Sequence, residues 1–132
     1  MKTMFDYPAE VIMALAEAIK EQEEFRTWLT NNGYEHLAQF SMAVRNNRKA
    51  FNWLLEHYPQ YAAFDCAIDN EGDAKIWLKN NGMGFDIILA DACAGNPDAI
   101  AWLAKNGFEL HLYLAKVIKN DIDERNRYRS LF

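Results

Sequence analysis

A tryptophan–leucine pair returns four times in this chain, at Trp28-Leu29, Trp53-Leu54, Trp77-Leu78 and Trp102-Leu103. The tryptophans are spaced by 25, 24 and 25 residues, a regularity that marks an internal repeat. Ten residues before each Trp stands an alanine (Ala18, Ala43, Ala67, Ala92), and nine before stands Ile19, Val44, Ile68 or Cys93. Thirteen before are Leu15, Phe40, Phe64 and Leu89, and three before are Phe25, Ala50, Ala74 and Ala99. Five after are Gly33, Tyr58, Gly82 and Gly107. A period this short leaves room for two short helices per unit. One such pair cannot bury its apolar stripe alone, so neighbouring units must stack.

The columns thirteen, ten and nine before the Trp share one face of a first helix, and those at three before, the Trp and one after share one face of a second. Residues 96–107 show the punctuation: Asn96 can cap, Pro97 suits the first helical place, and Asp98 complements the positive helix end. Lys105 favours the last turn and Gly107 a left-handed stop, so the Asn-Gly pairs ending at Gly33, Gly82 and Gly107 are helix stops rather than hairpin turns. The expected fold is all-α: one domain over 1–132, a solenoid of stacked antiparallel helix pairs. Its four repeats cover about 9–35, 36–60, 61–84 and 85–109, followed by capping helices over 110–132. Pro8 is expected at the first position of the first helix. Residues 110–118 read as one more first-type helix, and the polar stretch after them as a separate closing helix. Alanine in the first helix lets backbones approach. Trp28, Trp53, Trp77 and Trp102 are expected to fill the gaps between layers, burying about 200 Å² each and costing about 3–5 kcal/mol when cut to Ala.

At residues 89–109, LADACAGNPDAIAWLAKNGFE, the chain resembles an ankyrin repeat through Ala92, Gly95, Ile100, Trp102, Leu103, Asn106 and Gly107. The unit before it matches less fully, through Ala67, Gly72, Ile76, Trp77, Leu78 and Gly82. The family's Thr-Pro-Leu-His opening is absent, and the period is about eight residues shorter than the family's 33. That is the length its projecting β-hairpin takes up. The resemblance implies a shortened, hairpin-less protein-binding scaffold with no catalytic residues to carry over.

The net charge of −5 argues against nucleic acid, whose phosphates such a surface repels. From Glu56 to Glu109 nine acids face three bases, so the centre is the acidic part. Cys66 and Cys93 have no metal-type spacing and read as free thiols of a reducing compartment. The first apolar run, residues 11–16, lies between Glu10 and Glu17 and is far short of the ~20 residues of a membrane span. No leader is read, and a cytoplasmic location is expected.

No catalytic constellation, cofactor motif or small-molecule signature is legible. His36, His57 and His111 fit no metal spacing and are expected not to meet, so no metal is expected. Solenoids use a concave face, which ankyrin-like stacks line with the ends of their first helices. Here those positions are Lys20, Glu21, Arg45, Asn46, Asp69, Asn70, Ala94 and Gly95, and they vary between units. The resulting expectation is a non-catalytic protein–protein interaction module whose partner, for the acidic centre, is a basic protein. The alternatives are a small hydrolase or cation-binding protein using Asp65, Asp69 and Asp91, or a nucleic-acid-binding solenoid using Arg125, Arg127 and Arg129.

Overall fold

The computed structural model describes residues 2–131, so Met1 and Phe132 of the expected domain lie outside the described residues. Among the described residues the chain is all-α. A single 3₁₀ turn (Met4–Asp6) precedes α1 (Ala9–Ile19), α2 (Glu23–Asn31), α3 (Glu35–Ala43), α4 (Arg48–His57) and α5 (Pro59–Ile68). Then come α6 (Gly72–Asn80), α7 (Gly84–Cys93), α8 (Pro97–Lys105) and α9 (Glu109–Ser130).

The helix ends repeat as faithfully as the side chains. Gly33, Gly82 and Gly107 have φ of 87°, 73° and 81°, the left-handed stop expected of them. In the same three units the preceding asparagine caps the Trp carbonyl: Asn32, Asn81 and Asn106 each donate through Nδ2 at 2.8 Å to Trp28, Trp77 and Trp102. Asn96 accepts from the backbone of Asp98 at 2.9 Å and Ala99 at 3.1 Å, and Pro97 opens α8. Pro8, expected inside α1, instead stands one residue earlier as its N-cap with extended backbone. The expected division between residues 110–118 and a closing helix is absent, because nothing between Glu109 and Ser130 is Gly or Pro; α9 runs unbroken for 22 residues.

The first helices end on a second left-handed column, seven residues before each Trp: Glu21 (φ 64°), Asn46 (70°), Asn70 (63°) and Gly95 (91°). Asn and Gly tolerate that region best. The column therefore varies within limits set by backbone geometry as well as by any surface role. A Cβ built on Gly95 meets Lys119 Cε at 2.6 Å, although that side chain is flexible and can rotate away. Gly95→Ala is expected to lower stability by about 1–2 kcal/mol, mostly through the left-handed backbone, as read from urea denaturation.

Burial separates the helices into two layers. α1, α3, α5 and α7 bury half or more of their residues and α9 buries residues between His111 and Ile118, whereas α2 and α6 bury only Leu29 and Leu78. The odd helices pack each on the next, and every even helix packs across two odd neighbours. The column thirteen before the Trp extends to a fifth member: Leu15, Phe40, Phe64, Leu89 and Leu114 are all fully buried. Phe40 and Phe64 meet ring to ring at 5.3 Å.

The row of odd helices also closes on itself. α1 packs on α9 as extensively as on α2, and Tyr113 of α9 donates to Glu17 of α1 at 3.1 Å. The first and last helices of the expected stack are joined. α1 shows why: Val11, Ile12, Ala14, Leu15, Ala16, Ala18 and Ile19 are all buried, so it lacks the polar outer face that a terminal unit of an open stack requires.

The expected core role of the tryptophans is corrected. Leu29, Leu54, Leu78 and Leu103 are fully buried, while Trp28, Trp53 and Trp77 are half-buried and Trp102 is 40% exposed. On an outer helix only one stripe points inward, and Leu takes it. The Trp, one residue back, lies about 100° around the helix and covers the residue that opens the next first helix. Trp102 stacks on Phe108 at 5.7 Å and Trp28 on Tyr34 at 6.3 Å.

Candidate functional site

The residues expected to meet a partner, Lys20, Glu21, Arg45, Asn46, Asp69 and Asn70, all stand where the inner helices α1, α3 and α5 end. They therefore share one mouth of the helix ring. That mouth is not an open concave face. A helix of 22 residues is about 33 Å long at 1.5 Å per residue, roughly twice its inner neighbours, and the distal half of α9 runs across the ends of α1 and α3.

Polar contacts fasten it there. Arg45 hydrogen-bonds Asp121, pairs with Glu21 at 3.1 Å and donates to the Ile19 carbonyl at 3.2 Å. Arg125 donates to Asp121 at 3.0 Å and to the Val44 carbonyl at 3.1 Å. Lys20 reaches the Tyr113 hydroxyl at 3.3 Å. Thus Lys20, Glu21 and Arg45 are engaged with the chain's own last helix or with each other. Asn70 is held by Lys75 at 2.6 Å.

Beside α9 lies a cleft of about 560 Å³, lined by Asn46, Asp65, Asp69 and Glu71 among others, with Arg48 and Arg129 also on its wall. Burial pushes the Asp65 carboxyl up to about 7, and the charges of Asp69 and Glu71 push the same way against the pull of Arg125. Asp69 is raised by burial and then by Glu71. The Cys66 thiol on the cleft wall is pushed up to about 12, by burial and then by its bond to Glu71, so at neutral pH it is not a thiolate. Asp91 does not join this group: it pairs with Lys75 at 2.7 Å. The three aspartates grouped in the hydrolase and cation readings are therefore not brought together, and among the described residues no group of three or more candidate ligands could hold a metal ion.

The opposite mouth holds a constellation the repeat pattern did not bring out. The segment 2–7 lies over the first turns of α3, α5, α7 and α9, with the Met4 side chain fully buried. Asp86 Oδ1 accepts the Met4 amide at 3.1 Å, and His111 Nε2 donates to the Met4 carbonyl at 2.9 Å. Phe5 meets Phe85 and Phe108 edge-on at 5.4 and 5.9 Å. Tyr7 hydrogen-bonds both His36 Nε2, at 2.7 Å, and the Tyr61 hydroxyl, while Tyr61 donates to the Lys2 carbonyl at 3.2 Å.

Proton counting orders this chain. A carbonyl only accepts, so the Tyr61 proton goes to Lys2, the Tyr7 proton to Tyr61, and His36 must donate from Nε2. His36 and His111, expected not to meet, both hold the segment 2–7, at Tyr7 and at Met4. Burial lowers the affinity of both rings for a second proton; a charge on Lys2 adds to this at His36, and the Met4 bond opposes it at His111. A signal for this mouth was present in the sequence: sixteen residues before the Trp register the column runs Ile12, Leu37, Tyr61, Asp86 and His111, and its last three members are polar though all five are buried.

Among the described residues no helix is long and apolar enough to cross a membrane. No protein family, no curated protein and no solved structure matches the chain.

Proposed function

We propose that this protein is a non-catalytic interaction module, built of shortened ankyrin-like helix pairs, that binds a basic protein partner at the mouth where the inner helices end. The observation that carries this reading is the cleft beside α9. Asp65, Asp69 and Glu71 line it, and among the described residues none of the three is in an ion pair. A lysine or arginine side chain entering there finds the exposed carboxylates of Asp69 and Glu71 beside the more deeply set Asp65, and can make charge-assisted hydrogen bonds to them. The half of the expected face formed by Lys20, Glu21 and Arg45 serves in this reading to fix α9, leaving Asn46 and Asp69 as the partner-facing members.

The test is affinity capture from the native source with the wild-type chain and with an Asp69→Ala, Glu71→Ala double variant. A partner with a basic surface is expected to be lost or weakened at least tenfold in the variant. An unchanged set of captured proteins rules the reading out.

An acid–base role at the same cleft is a second reading, favoured by one observation: Asp65 is held protonated close to neutrality in an open cleft. Its expected companion Asp91 is tied to Lys75, which leaves that reading the weaker of the two.

A further inference from the structure

We propose that residues 2–7 are a pH-gated plug, seated in the helix ring while Asp86 is neutral and released when its buried carboxyl ionises. The geometry rests on a carboxyl with unequal oxygens. Asp86 is fully buried; Oδ1 accepts the Met4 amide at 3.1 Å, and Oδ2 has no hydrogen-bond partner. A carboxylate needs both oxygens solvated or bonded, so ionisation with the plug in place leaves half the charge unsatisfied. Release of the segment opens Asp86 to water and removes that cost.

The surroundings sharpen the dependence. α7 packs against α5, α6, α8, α9 and the 3₁₀ turn. The turn supplies Asp6, whose like charge raises the Asp86 ionisation further, after burial and against the Met4 amide. From α5 comes the Tyr61 hydroxyl and from α9 His111, held neutral by its own burial; Tyr7 of the plug and His36 of α3 complete the polar chain. On α6, Lys75 is bound to Asp91 while Asp73 and Lys79 are exposed; on α8, Asp98 and Lys105 are exposed. Among the described residues no cation pairs with Asp86, and its ionisation is displaced to about 7. The released carboxyl ionises near the ordinary 4 and the seated one near 7, so the switch responds between those two values.

The test uses the full chain. The Met4 ε-methyl, seated against the core, is followed by ¹³C NMR from pH 4 to 8, together with the Asp86 side-chain carboxyl carbon and the buried Met83 methyl as a control for global unfolding. The expected result is a Met4 signal that moves towards the free-chain position as the pH rises from about 4 to about 7, the released-to-seated ratio rising up to tenfold per pH unit and levelling off above that. Met83 stays in place. In Asp86→Asn the Met4 signal stays seated across the range. The proposal is overturned by a Met4 signal that never moves, by Met83 moving with it, or by an Asp86 carboxyl that titrates in the ordinary range near 4 with the plug seated. The same Met4 transition in Asp86→Asn also overturns it. If that variant does not fold, the Asp86 and Met4 titrations of the wild-type chain decide alone.

Discussion

Leu103→Ala is expected to lower the free energy of unfolding by about 2–5 kcal/mol, and Trp102→Ala, one residue away, by only about 1–2 kcal/mol. Leu103 is fully buried beneath α8, so its removal leaves a cavity among inner helices that cannot easily collapse. Trp102 is 40% exposed and gives up mainly its stack on Phe108 at 5.7 Å. The same ordering is expected for Leu29 over Trp28 and Leu78 over Trp77. Urea denaturation of the paired variants measures it directly; a Trp102 variant as damaging as the Leu103 one would return the tryptophan to the core. Domains of this size are stable by about 5–15 kcal/mol, so the leucine variants remove a large fraction of what holds the fold together.

The second large effect is electrostatic. In Asp65→Asn the gain in stability over wild type is expected to be near zero at pH 4 and to grow to about 2–4 kcal/mol above pH 7. The Asp65 carboxyl is displaced from 3.8 to about 7, by burial first and by Asp69 and Glu71 next. An acid whose folded ionisation is raised binds more protons folded than unfolded. Its favourable contribution is therefore present in acid and lost as the pH rises between those two values. A neutral amide escapes that loss. Asp86 imposes the same sign over the same window. His36 and His111, lowered by burial, act oppositely: the unfolded chain takes up their protons first, so stability falls as the pH drops below about 6.5. Chemical denaturation of wild type and variant at each pH from 4 to 8 isolates the Asp65 contribution, because the histidine effects cancel in the difference. A constant difference across that range would show that Asp65 is not the group titrating.

Helix content, helix ends and the two-helix unit were legible because they are local. Asn96, Pro97, Lys105 and Gly107 act within one turn of chain, and their chemistry reads the same in any fold. The burial of the leucine and alanine columns was legible too, since a 3.6-residue period reports which face is inside. Closure of the ring was not, because it depends on α1 meeting α9, a pairing about 100 residues apart that no periodicity records. That omission propagated: once α9 is a fifth inner helix with a long overhang, the face expected to be free is partly covered. The role of Glu21, Asn46, Asn70 and Gly95 lay between these cases. Two asparagines and a glycine in one column are a left-handed signature, and they read as surface variation only while the backbone was left out of account. Asp86 and His111 interrupt an apolar column, which marked them as unusual without saying that residues 2–7 sit opposite.

An open stack of repeats folds as a line: any unit can nucleate, its neighbours add on, and the array can gain or lose a unit at either end. Joining α1 to α9 removes that freedom. The α1–α9 contact encloses nearly the whole chain, so it carries a larger loop entropy than any contact between neighbouring units. The five inner helices therefore succeed or fail together, and the number of units is set by the circumference they span. A further 25-residue unit would have to widen the ring rather than lengthen a line.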